Sequence, residues 1–139
     1  MRRLVLCLAL AGLSSSAFAL TNEDLAANTW MPLEEKAESS SCELPAMIDF
    51  HKDGTLSSEP GCNTMSGRYK LGEDGKVEFM EMAMTQRMCA KDYMDQEARF
   101  TQMLNATHYM KKEGSAIILL DADKKEVGRL VPEKSKACE

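Results

Sequence analysis

The stretch from Gly61 to Cys89 constrains this chain more than any other. It opens with Gly61-Cys62-Asn63-Thr64-Met65-Ser66-Gly67-Arg68-Tyr69 and closes with Met84-Thr85-Gln86-Arg87-Met88-Cys89. Two glycines and a β-type segment separate two cysteines. Glycine in such places signals a turn with positive φ or the close approach of another backbone. A chain built around this stretch is expected to fold as a small, β-rich domain.

The N-terminus sets the compartment in which those cysteines would act. Arg2 and Arg3 form a positive n-region, and the apolar run over residues 4–13 is too short to span a bilayer. Ala17-Phe18-Ala19 then offers an A-x-A cleavage site, so residues 1–19 are read as an export signal. Cys7 lies inside the apolar run. A lipid-modified cysteine would follow that run, so a lipoprotein reading is discounted. The expectation is a periplasmic or secreted mature chain, residues 20–139, folded as a single domain with no transmembrane segment. Loss of Arg2 and Arg3 from 17 basic residues leaves 15 against 22 acidic ones. No basic stripe survives, which argues against nucleic-acid binding.

Four of the five cysteines lie beyond the signal: Cys42, Cys62, Cys89 and Cys138. An even number after an export signal points to two disulfides, with three possible pairings. None of the spacings is a CxxC, which weakens zinc-ribbon and thioredoxin-like readings.

Patterning predicts mostly β-structure. A short helix is expected over residues 22–27, capped by Thr21 or Asn22, followed by a strand over 29–33 interrupted by Pro32. Trp30, the single tryptophan, reads as a core anchor. Residues 34–41 read as a loop. A strand over 46–50 turns at Lys52-Asp53-Gly54 into Thr55-Leu56, with residues 57–60 as a loop. Strands over 66–71 and 76–80 flank the turn Gly72-Glu73-Asp74-Gly75. One helix is predicted over about residues 92–106, where Tyr93, Glu97, Phe100 and Leu104 fall on one face. Strands over 108–112, 116–120 and 126–131 close the chain as a meander. The fold class is α+β.

Few residues invite catalysis. His51 and His108 accompany no nucleophile motif and read as strand residues with solvent or backbone partners. Asp121-Ala122-Asp123 lacks the glycine and distant glutamate of an EF-hand and reads as a hairpin turn. Glu97 is expected at the boundary with its head in water, or else buried against a cation such as Arg87. A catalytic carboxylate is the least favoured reading. No enzyme activity and no cofactor are expected.

The methionines offer one alternative. Met80, Met82 and Met84 alternate with period two, so on a regular strand their thioethers share a face, with Met88 close by. Packing of that face into the core, with methionine as gap filler, is the first expectation. A Cu(I) site built from soft thioethers is the second.

Gly61-Cys62-Asn63 followed by Ser66-Gly67-Arg68-Tyr69 resembles the G-C-N-x-x-S-G-x-Y signature of the META domain family. Thr85 four residues before Cys89, and Glu97, Phe100 and Leu104 as E-x-x-F-x-x-x-L, resemble its further motifs. Trp30 and the Asp121-Ala122-Asp123 hairpin also fall in order, and the likeness spans residues 24–131. It implies a strongly bent antiparallel sheet or partial barrel with one main helix packed against it, a fold similar to the small lipid-binding pilotins of secretion systems. It further implies a heat-shock-inducible envelope protein linked to novobiocin resistance, acting by binding another envelope protein, a lipid or a peptide. No catalytic residue follows from it. The loop holding Cys42 and the tail 132–139 holding Cys138 lie outside the shared motifs. The resemblance therefore implies the pairs Cys62–Cys89 and Cys42–Cys138, the second tethering the tail. A copper-binding protein and a secreted enzyme inhibitor are the functional alternatives.

Overall fold

The computed structural model describes residues 19–33 and 45–133. Residues 1–18 of the expected signal, Cys42, Cys138 and the second expected disulfide lie outside the described residues, as do the loop 34–41 and the tail from 134 onward.

Among the described residues eight antiparallel strands form one sheet in the order β5-β4-β3-β2-β1-β8-β7-β6. They are β1 (Thr29–Pro32), β2 (Met47–Phe50), β3 (Thr55–Glu59), β4 (Met65–Leu71), β5 (Val77–Met84), β6 (Tyr109–Glu113), β7 (Ala116–Leu120) and β8 (Glu126–Pro132). Helix α1 (Asn22–Ala26) precedes them, and α2 (Lys91–Ala106) carries the chain from one sheet edge, β5, to the other, β6. The expected partial barrel is met only in part. Among the described residues the two edges touch at a single bridge, Lys76 with Tyr109. There the Val77 N–H donates to the His108 carbonyl at 2.9 Å and the Met110 N–H to the Gly75 carbonyl at 2.8 Å. Gly75 is required twice at this seam. Its φ is +83°, and a Cβ would lie 2.5 Å from the Met110 oxygen. Among the described residues no ladder continues beyond the bridge, so the sheet they form stays open.

α1 starts where a capping box predicts. The Thr21 hydroxyl accepts from the Asp24 N–H at 3.2 Å, and the Asp24 carboxylate accepts from the Thr21 N–H at 2.9 Å. Trp30 is buried and donates its indole N–H to the Leu25 carbonyl at 2.7 Å, which ties this helix to β1. Strands β3 and β5 run well past the patterning's bounds, and β6 is shifted by one residue. β3 continues through residues 57–59 because its serines suit an inner strand: the Ser58 hydroxyl, buried, donates to the Met47 carbonyl at 2.6 Å. β5 continues to Met84, and β6 begins at Tyr109 and ends at Glu113.

The core gathers Trp30, Ile48, Phe50, Leu56, Leu119 and Leu130 from the sheet with Phe100 and Leu104 from α2. Tyr93, the first member of the predicted helix stripe, is instead 40% exposed. It lies within the first turn, before the helix reaches the sheet. Farther along, the helix is seated closely because Gly128 of β8 has no side chain, and a Cβ there would lie 2.4 Å from Met103 Sδ.

Candidate functional site

The motif residues converge on one carboxylate. The turn after β3 brings Gly61, Cys62 and Asn63 against α2, and Gly61 makes this possible. A Cβ on it would stand 2.4 Å from the Tyr93 carbonyl and 3.0 Å from the Glu97 N and Cβ. Glu97 then accepts from the Cys62 N–H at 3.0 Å and the Asn63 N–H at 2.6 Å through Oε2, and from Asn63 Nδ2 at 2.8 Å through Oε1. Asn63 Oδ1 accepts in turn from the Thr85 hydroxyl at 2.9 Å and the Arg87 N–H at 2.6 Å. Thr85 Oγ1 accepts from the Thr64 N–H at 3.0 Å. The Cys62–Cys89 disulfide closes the same loop, with the Cα atoms 5.7 Å apart.

This corrects both leading expectations for Glu97. Its head is not in water, for the residue is 5% exposed. Arg87 is no counter-ion either: it contributes main-chain groups, its carbonyl accepting from Asn63 Nδ2 at 3.3 Å. Backbone and amide N–H groups take the place of a cation, and three such donors satisfy a buried carboxylate.

Other motif residues have scaffold roles too. Tyr69 is buried edge-on to Phe50, with ring centroids 5.1 Å apart, and donates its hydroxyl to the His51 carbonyl at 2.6 Å. Burial holds its phenol above the usual range. Ser66 is exposed, paired between Ser57 and Ala83. Phe100 and Leu104 fill the core. His51 is exposed with Nε2 3.4 Å from the Ser57 hydroxyl, and His108 makes the main-chain bonds flanking the seam. The Asp121 carboxylate accepts from the Asp123 and Lys125 N–H groups, both at 2.9 Å, as a hairpin turn does.

The methionines depart most from expectation. Met80, Met82 and Met84 are 38%, 38% and 42% exposed and Met88 is 88% exposed, so they do not fill the core. Nor do the first three share a face. Met80 pairs with Arg68 and Ala83 with Ser66, leaving Glu81 and Met82 to oppose the single residue Gly67. Glu81 takes the extra place with φ 53°. This bulge reverses the alternation. Met84, opposite buried Met65, lies on the inner face, and Met80, opposite exposed Arg68, on the outer.

Between α2 and the β1–β8 pair the described residues line a cleft of about 140 Å³. Leu33, Phe100, Met103 and Val127 supply its apolar wall, and Gln96 and Arg99 its polar side. Leu33 is 54% exposed.

The family model described as the META domain matches residues 23–134. The chain belongs to the META domain family. Solved structures agree on the fold. A protein solved by NMR superposes with a TM-score of 0.62 at 23% identity, over 81% of this chain and 95% of its own. A DUF4847 family protein from Bacteroides vulgatus gives 0.57 at 17% identity, over 83% and 99%. An NMR structure of a protein from Burkholderia xenovorans gives 0.58 at 16%, over 81% and 86%. No curated protein matches the chain.

In this META domain the motif thus builds a joint between the 61–64 turn, the 85–89 loop and helix α2. Sequence reasoning found nearly every member of that joint but missed its wiring. The cleft it missed entirely, because its lining comes from four separated segments with no common motif. Gly128 was the one available signal, a glycine inside a strand that marks a close approach.

Proposed function

We propose that this protein is an exported, non-enzymatic META domain protein of the bacterial envelope. Its role is tolerance of heat and of novobiocin, exercised by binding another envelope component, whether a membrane protein, a lipid or a peptide. The cleft between α2 and β1–β8 carries this reading. It offers a small apolar wall and an exposed leucine with Arg99 on its polar side, room for one apolar side chain or chain end of a ligand that also carries a polar or anionic group. The polar groups of the motif, by contrast, are engaged with one another, which favours a scaffold role for them over chemistry. Cleavage near Ala19 suits the fold at that point, where Ala19 is exposed and Leu20 packs in the core. No helix among the described residues is long and apolar enough to cross a membrane.

The test is affinity capture from envelope extract with the mature chain, beside Leu33→Asp and Arg99→Glu variants. The reading expects a reproducible partner that the variants lose, and a deletion strain with reduced growth in heat or novobiocin. Capture of nothing, with normal growth of the deletion strain in both conditions, would overturn it.

A further inference from the structure

The bulge at Glu81 separates the methionines of β5 but brings two of them to a third on β4. Met84 stands directly opposite Met65, and residues so paired across an antiparallel ladder have Cβ atoms about 5 Å apart on one face. Met65 and Gly67 are two residues apart on that same face, about 6.6 Å along the strand. Gly67 has no side chain, and Met82 occupies the space: a Cβ on Gly67 would lie 2.3 Å from Met82 Sδ. The Met82 sulfur therefore lies over Gly67, the next inner-face position along β4 from Met65, while Met84 faces Met65 from the other strand. Three flexible thioethers, each with several rotatable bonds, surround one patch of sheet floored by Gly67.

We propose that Met65, Met82 and Met84 form a binding site for a soft monovalent cation, Cu(I) or its analogue Ag(I). Thioethers are soft, neutral donors that select such ions over zinc, magnesium or calcium. Among the described residues no group of three His, Cys, Asp or Glu could hold a harder ion. Met82 and Met84 remain 38% and 42% exposed, which leaves an ion a path to the buried Met65. Met80 lies on the opposite face and is excluded from the set. A thioether takes up no proton near neutrality, so binding is independent of pH between about 5 and 8, unlike binding at a histidine, which titrates near 6.5.

The test uses the full chain with its disulfide intact and any free thiol alkylated. It is titrated without oxygen with tetrakis(acetonitrile)copper(I) against a chromogenic Cu(I) chelator, and separately with Ag(I) while the ¹³C-methyl methionine signals are followed by NMR. Expected are one equivalent bound with a Kd below about 1 μM and shifts of the Met65, Met82 and Met84 methyl signals with Met80 unmoved. Met82→Leu and Met84→Leu should each weaken binding by about tenfold or more. Both positions are part-exposed, so these variants fold. Met80→Leu should bind as the parent does. Binding weaker than this, or equal loss in Met80→Leu, overturns the site. Shifts of Met82 and Met84 without Met65 overturn the three-donor assignment.

Discussion

Asn63 offers Glu97 both ends of itself, its main-chain N–H at 2.6 Å and its side-chain amide at 2.8 Å, across 34 residues of sequence. One residue of the turn and one of the helix are thereby held in a single relative orientation. Asn63 Oδ1 meanwhile receives the Thr85 hydroxyl and the Arg87 N–H, so the loop after β5 is fixed through the same side chain. Helix, turn and loop form one joint.

Glu97→Gln keeps the shape of the side chain but replaces an acceptor oxygen with a donor facing N–H groups. Hydrogen bonds to a charged partner contribute about 1.5–3 kcal/mol, and a buried unpaired donor carries a further penalty. Urea unfolding should show a loss of about 3 kcal/mol. A loss below about 1 kcal/mol would contradict the assigned network.

The two motif glycines should differ in their tolerance of alanine. At Gly61 the added methyl meets the Tyr93 carbonyl at 2.4 Å and the Glu97 backbone N at 3.0 Å, so the helix itself must move. At Gly67 it meets the end of Met82 at 2.3 Å, which can swing away, although the Met80 carbonyl remains at 3.1 Å. Gly61→Ala should cost about 2–3 kcal/mol and Gly67→Ala clearly less, read as midpoints of thermal unfolding.

Breaking the Cys62–Cys89 bond as the Cys62→Ser, Cys89→Ser double variant removes a cross-link 27 residues apart in sequence. Chain entropy sets an upper figure of about 3.5 kcal/mol. Because that loop also contains Thr85 and Arg87, the loss should be non-additive with Glu97→Gln. A double-mutant cycle reads this as a combined loss different from the sum of the two.

Lys112 of β6 pairs with Asp24 of α1 at 3.0 Å. Its ammonium, followed by the Thr21 N–H and hydroxyl, holds the Asp24 carboxyl below its ordinary 3.8. A carboxyl depressed on folding adds stability above its unfolded pKa and loses it as pH falls through the folded value. Lys112→Met should therefore cost up to about 1 kcal/mol near neutrality. The difference from the parent should shrink below pH 3.8 as Asp24 takes up its proton, followed by circular dichroism across an acid titration.

The sequence by itself determined the family, the cysteine pair inside the motif, the α2 helix and the hairpin turns at Gly54 and Asp121. Each rests on local chemistry: turn residues, capping side chains and hydrophobic spacing act within a few positions of themselves. The identity of the joint was legible as well, since Gly61, Asn63, Thr85 and Glu97 stand out together. Their wiring was not, because a carboxylate can be satisfied by a cation, by water or by N–H groups, and only the folded backbone says which are near. Tertiary structure alone decided the seam at Gly75 and Met110 and the placing of the methionines. Strand alternation has a period of two, so one extra residue at Glu81 moves everything beyond it to the other face. A period read from sequence carries no mark of that insertion.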